Sequence, residues 1–190
     1  MSKIKVAIWG SGTGSNAKNL IQYFKGSDHV EIAWILSNKP DALILQHAID
    51  AEIPTRVIAK EERENCTALI EEHQKNGIDW IILAGYLWKI PAALCHAYPN
   101  KIVNIHPALL PKYGGKGMYG HFVHDAVHQA GEKESGITIH FVNEHYDEGN
   151  IIFQARCTVE QADGPAEIEK KVRALEIEHF PHVIAETIIA

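Results

Sequence analysis

Apolar and polar positions along the first half of the chain fall into two alternating patterns. Short apolar runs occupy residues 4–9, 31–36, 53–57 and 80–84, with the length and β-branched content of buried strands. The run 80–84, Trp-Ile-Ile-Leu-Ala, is the most apolar and is expected at the centre of a sheet. Between the runs lie helical patterns. Residues 16–24 place Leu20, Ile21 and Phe24 on one face, residues 42–51 follow, and residues 60–76 end at Gly77, a good C-terminal stop. Strands that alternate with helices predict right-handed βαβ units and a mostly parallel sheet.

The second half has a different rhythm. Residues 102–105 read as a strand that runs into a loop rich in Pro and Gly, from 107 to 120. A helix is predicted over 121–130. Two β-like runs, 137–142 and 151–157, are joined by a polar turn at 143–150, which suggests an antiparallel addition to the sheet. Residues 165–189 are helical in pattern, and Pro181 marks a break or a new start. The whole, 1–190, reads as one α/β domain with a Rossmann-like sheet and flanking helices.

Composition narrows the function classes. Of the 190 residues 46% are hydrophobic and 22% charged, which predicts a buried core rather than disorder. A net charge of −6 counts against nucleic acid and anionic membranes as partners, while a local basic pocket for one phosphate remains possible. Cys66, Cys95 and Cys157 are scattered, with no CxxC pair, so neither a disulfide framework nor a zinc site is indicated. The His-x-x-His spacing of His121 and His124, continued at His128, lacks the carboxylates or cysteines of a metal site. A solvated or loop-anchoring role suits these histidines better, with His121 the best candidate for a site neighbour. The apolar start is interrupted by Lys5, and no run reaches the roughly 18 apolar residues needed to span a bilayer. A cytoplasmic monomer or homodimer is the expectation.

Two motifs carry chemistry. The first is Gly10-Ser11-Gly12-Thr13-Gly14-Ser15-Asn16, between a strand and a helix. Unpaired N–H groups at a helix start hold phosphate well. A dinucleotide fingerprint would need glycine where Ser15 stands and an acid near Ser37-Asn38-Lys39. A P-loop would need Gly-Lys-Ser/Thr. Both are absent, which leaves a single-phosphate site or a plain tight turn. The second motif is Asn104-Ile105-His106-Pro107 at a strand end. Residues i and i+2 of a strand share a face, so Asn104 and His106 project together where open α/β sheets bind ligands. An amide and an imidazolium beside one carbonyl oxygen form an oxyanion site. Asp147, in the turn His145-Tyr146-Asp147-Glu148-Gly149, is a possible partner for His106. Each of the three also has a bland reading, as a cap, a surface histidine or turn chemistry.

At this point the chain resembles a known family. The runs SGTGSN (11–16), LSNKPDA (36–42), LAGYLWKIP (83–91), NIHPALLPKYGG (104–115) and ESGITIHFVNEHYDEGNIIFQA (134–155) are similar to folate-dependent formyltransferases, and within them to the glycinamide ribonucleotide branch. The resemblance implies a formyltransferase fold and transfer of a formyl group from 10-formyltetrahydrofolate to the amine of glycinamide ribonucleotide, with no metal. It implies catalytic roles for Asn104, His106 and Asp147, and a phosphate loop at Gly14, Ser15 and Asn16 with Glu176 as a ribose-binding acid. It further implies a folate pocket with Arg63, Tyr86, Leu87, Trp88, Lys89, Ile90, Asn104, His140 and Glu144, and a cis Leu110-Pro111 peptide. The chain departs from the family in three places: Trp88 replaces an arginine common in relatives, Lys89 replaces an apolar residue, and the loop 114–121 is longer than the usual bacterial form.

Three rival readings stand beside this one. A formyltetrahydrofolate hydrolase would use water as acceptor, and its relatives carry a further N-terminal domain. A methionyl-tRNA formyltransferase would want a further C-terminal domain and a basic surface. A non-catalytic phosphate-ligand sensor would not need all three of Asn104, His106 and Asp147.

Overall fold

β1 (Ile4–Trp9) is the axis from which the sheet grows in both directions. In the computed structural model, which describes residues 2–189, β1 is followed by α1 (Ser15–Phe24), β2 (Val30–Ser37), α2 (Leu43–Asp50) and β3 (Thr55–Val57). Then come α3 (Lys60–Glu64), α4 (Thr67–Lys75), β4 (Trp80–Leu83), α5 (Ala92–Ala97) and β5 (Ile102–His106). The chain continues through α6 (His121–Gln129), β6 (Glu134–Phe141), β7 (Ile151–Thr158) and α7 (Pro165–Ile189). The seven strands form one sheet in the order β3-β2-β1-β4-β5-β6-β7, so β4 is central as its apolar run predicts. Pairings from β3 to β5 are parallel, and β6 and β7 are antiparallel. No helix among the described residues is long and apolar enough to cross a membrane.

Each face of the sheet buries its own apolar layer. One layer joins Ile8, Val103 and Ile139 to Leu20 of α1, Ile44 of α2, Val127 of α6 and Phe180 of α7. The other joins Trp9, Trp34, Leu83 and Ile102 to Leu69 of α4 and Leu94 of α5. Cys66 and Cys95 lie in this second layer as buried apolar groups, and Cys157 is half-buried on β7.

The predicted helix over 60–76 is two helices. Asn65 leaves the helical region at φ −120, ψ 79. No residue of α3 is buried, whereas α4 buries Leu69 and His73. The charged first stretch has nothing to press into the core, so the chain turns at Asn65-Cys66 and only the second stretch packs. Arg56 fastens the corner, pairing with Glu62 of α3 and, at 3.1 Å, with Glu72 of α4. The short α5 escapes a reading by periodicity because six residues barely exceed one helical turn and a half.

Pro181 neither breaks nor restarts a helix, because α7 runs through it without interruption. Proline has no N–H, so it cannot bond the carbonyl four residues back, that of Ile177. Asn19 of α1 supplies the missing donor: its Nδ2 donates to the Ile177 carbonyl at 2.8 Å. The helix survives because a neighbour replaces the bond that proline removes.

Candidate active site

A cleft of about 660 Å³ opens at the carboxyl ends of β1, β4 and β5, bordered by α7 and by the loops after β5 and β6. At one end stands the glycine-rich turn. Gly14 has φ +72, and a Cβ there would lie 2.7 Å from the Ile44 Cα, so both conformation and space demand glycine. The N-cap of α1 makes no side-chain capping bond, and its first turn lines the cleft. The nearly buried Asn16 donates from Nδ2 to Glu176 Oε2 at 3.0 Å, while its Oδ1 has no partner. Burial raises the pKa of Glu176, and the bond from Asn16 opposes that shift. Gly14, Ser15, Asn16 and Glu176 therefore come together at this end of the cleft.

The centre is a closed set of four polar side chains. The β5–β6 register pairs Asn104 with His140 and His106 with Thr138. His140 Nδ1 lies 2.8 Å from the Phe141 carbonyl. A carbonyl only accepts, so Nδ1 carries the hydrogen and Nε2 has the lone pair. Asn104 Nδ2 donates to that Nε2 at 3.1 Å. Burial, the dominant cause, holds the pKa of His140 below its ordinary value, which preserves the acceptor. One amide hydrogen of Asn104 is thus spent on His140, and the other remains for the cleft.

His106, 4% exposed, is fixed by the same logic. Its Nε2 donates to the Tyr113 carbonyl at 2.7 Å, which leaves Nδ1 facing Asp147 Oδ2 at 3.7 Å. The other carboxylate oxygen, Oδ1, lies 3.7 Å from His140 Nε2. Asp147 sits in the left-handed region at φ 55, and its Oδ2 accepts from the Gly115 N–H at 2.8 Å. Gly115 belongs to the loop after β5, so one carboxylate ties that loop to both histidines. The Leu110-Pro111 peptide in this loop is cis.

The outer wall is Tyr86, Leu87, Trp88, Lys89 and Ile90, all on the cleft. Arg63 and Glu144 do not line the cleft but an adjoining open recess. Arg63 reaches the wall through Trp88, its guanidinium carbon 5.1 Å from the ring centroid. Lys89 stands over Tyr146 at 5.7 Å, so two cation–π contacts flank the mouth. Burial pushes the Tyr86 hydroxyl up sharply in pKa.

Among the cleft residues that sequence reading missed are Lys39, His124 and Arg173. Arg173 lies three residues before Glu176 on α7, a spacing that puts both on one helix face and was legible. Lys39 follows the end of β2, where such sheets bind ligands. Among the three histidines of α6 it is His124, not His121, that borders the cleft, because residue 124 falls on the buried face beside Val123 and Val127. No group of three or more His, Cys, Asp or Glu with a metal-holding arrangement occurs among the described residues.

These features define an open α/β domain with a polar crevice at its strand ends. Comparison with known proteins gives the family. Residues 4–184 match the formyl transferase family model, and the chain belongs to that family. It is 42% identical over 174 residues to the chloroplastic phosphoribosylglycinamide formyltransferase of Arabidopsis thaliana, covering 88% of this chain and 60% of that protein. It is 36% identical over 185 residues to the phosphoribosylglycinamide formyltransferase of Haemophilus influenzae, covering 95% and 85%. The chain thus spans about three-fifths of the length of the plant relatives, 60% and 58%, and most of the bacterial one. The solved phosphoribosylglycinamide formyltransferase of Bacillus halodurans superposes with a TM-score of 0.88 at 30% identity, covering 97% of this chain and 95% of that one.

Proposed function

We propose that this chain transfers the formyl group of 10-formyltetrahydrofolate to the amine of glycinamide ribonucleotide, giving formylglycinamide ribonucleotide and tetrahydrofolate in purine biosynthesis. One observation carries the reading. The set Asn104, His106, His140 and Asp147 shares one cleft with a helix start suited to phosphate and an aromatic wall suited to a flat ring system. The names of the relatives agree with the acceptor and with formyl transfer.

The chemistry follows from the hydrogen positions. The substrate amine attacks the formyl carbon, a C–N bond forms, and the carbonyl electrons move to oxygen. The free amide hydrogen of Asn104 and a proton on His106 Nδ1 hold that oxygen. Nδ1 is the nitrogen free to hold it, since Nε2 is committed to Tyr113, and Asp147 Oδ2 faces Nδ1 at 3.7 Å. The separations of 3.7 Å from Asp147 to both imidazoles suit a bridging water. Through it the proton leaving the attacking nitrogen passes to N10 as the C–N10 bond breaks. Gly14, Ser15 and Asn16 hold the phosphate, Glu176 the ribose, and the wall from Tyr86 to Ile90 the folate ring, with Arg63 and Glu144 near its outer end.

The test mixes the protein with 10-formyltetrahydrofolate with and without glycinamide ribonucleotide and follows loss of the formyl group. Turnover that depends on the ribonucleotide supports the proposal. Turnover with water alone would make the protein a hydrolase, and no turnover would leave a ligand sensor.

A further inference from the structure

The ring of His106 is held from outside the cleft, by a residue with an unusual backbone. Tyr113 lies in the left-handed region at φ 55, a conformation that glycine adopts freely and tyrosine does not. Its carbonyl accepts the His106 Nε2 hydrogen at 2.7 Å. Its hydroxyl, on the opposite side of the residue, donates to Glu132 Oε1 at 2.9 Å, and Lys112 Nζ donates to the same oxygen at 2.8 Å. A carbonyl in a mobile loop would not fix a tautomer. Here it is tied at one end by β5 and at the other by Glu132, which follows α6. Packing does not do this alone, because Tyr113 and Glu132 border a separate cavity of about 270 Å³ into which an untethered ring could swing.

We infer that Tyr113 and Glu132 form a positioning unit for the formyl transfer, setting which nitrogen of His106 carries its hydrogen and where the ring points. The inference rests on the proposed role of His106 in that reaction. Neither residue touches substrate. Glu132 holds the Tyr113 hydroxyl, Tyr113 presents its carbonyl, and the carbonyl holds Nε2–H, so that Nδ1 faces Asp147 and the reacting oxygen. Lys112 keeps the Glu132 oxygen in place from the solvent side.

The experiment uses the full chain labelled with ¹⁵N-histidine, without ligand, and reads the two ring nitrogens of His106 by long-range ¹H–¹⁵N correlation in alkaline buffer. The signals are assigned by their loss in His106→Gln. The wild-type ring should show the Nε2–H tautomer. In Tyr113→Phe, which keeps ring and fold, and in Glu132→Ala the two nitrogen shifts should move together as the tautomers mix. Formyl-transfer kcat should fall about 10-fold, an order short of the ~100-fold that a displacement of about 1 Å costs, with KM for both substrates unchanged. Glu132→Gln, which still accepts from the hydroxyl, should restore the tautomer and most of kcat. Unchanged His106 shifts in Tyr113→Phe and Glu132→Ala would overturn the inference, as would a loss seen in KM alone. Absence of transfer by the wild-type protein would sink the proposed function instead, and the tautomer measurement would still decide this one.

Discussion

The two ends of the cleft are built from different materials. The end proposed for the phosphate is main chain: a left-handed glycine, the first turn of α1, and one bonded pair of side chains, Asn16 and Glu176. It stands on the aliphatic layer of Leu20, Ile44 and Phe180. The outer wall is side chain: Trp88 under Arg63, Lys89 over Tyr146, with Leu87 on the surface. It stands on an aromatic layer with polar flaws, where Trp9 packs against both Tyr86 and His73. Trp9 Nε1, Tyr86 Oη and His73 Nε2 are all buried there without a partner. Backbone binding fixes geometry and leaves little to vary. A side-chain wall on an imperfect layer can change residue by residue.

Asn104 shares the cleft with both, so its loss should separate chemistry from binding. Asn104→Ala is expected to lower kcat on the order of 100-fold or more, with both substrates still bound. Single-turnover rates and separate binding titrations check this. Wild-type turnover in Asn104→Ala, or in Asp147→Asn, would end the proposed mechanism.

The second effect lies beneath the outer wall. Burial lowers the pKa of His73 from 6.5 to about 4, assisted by the Arg56 charge and opposed by its bond to the Leu69 carbonyl. A lowered value in the folded state means that the unfolded chain takes up this proton first. The neutral ring therefore costs nothing above pH 6.5, and stability is lost as the pH falls from there to about 4. The loss amounts to roughly 3 kcal/mol over that window. His73→Phe, which keeps a ring between Trp9 and Trp34, should flatten this part of the acid limb. Urea unfolding at neutral pH and near the lower end of the window measures it. An identical pH slope in the variant would show that the charge on His73 is accommodated.

Much of this contrast was legible in the sequence, and unequally so. The helix start at Gly14–Asn16 and the shared face of Asn104 and His106 follow from strand and helix geometry. Asp147 did not, because nothing local says that a turn more than forty residues on folds back onto β5; that took the antiparallel β5–β6 register. His140 became a tautomer-fixed partner of Asn104 only through the same register. The break at Asn65 and the unbroken helix at Pro181 were illegible for a common reason. Each involves a side chain from another element, Arg56 fastening the corner in one case and Asn19 replacing the lost bond in the other. Periodicity reports what one element wants and is silent on what a neighbour supplies.

The third effect probes the main-chain end. Gly14→Ala forces a Cβ to 2.7 Å from the Ile44 Cα and 2.8 Å from its Cβ, at φ +72. Backbone strain of this kind costs about 1–3 kcal/mol, and the first turn of α1 should shift to relieve it. Ribonucleotide affinity should collapse while folate affinity stays. Gly12→Ala, whose added carbon meets nothing within 4 Å, should do neither. Equal losses from both substitutions would mean that the loop needs flexibility rather than this shape.

The smallest effect tests the side-chain end. Trp88 presents a ring whose other partner is the Arg63 guanidinium, 5.1 Å from its centroid. A cation–π contact at such a half-exposed site contributes about 0.5–1 kcal/mol, so its loss costs a few-fold in affinity and no more. Trp88→Leu should raise KM for the formyl donor by that amount, leave kcat alone, and leave KM for the ribonucleotide alone. Trp88→Phe, with a weaker ring face, should fall between. The ordering Trp, Phe, Leu is the informative result, because loss of apolar area alone would separate Phe from Leu far less than the stacked cation does. Adding Arg63→Gln decides the point: if the three side chains then converge, the cation was acting through the ring. A rise in KM for the ribonucleotide instead would show that the two ends are not independent, and the comparison between them would fail.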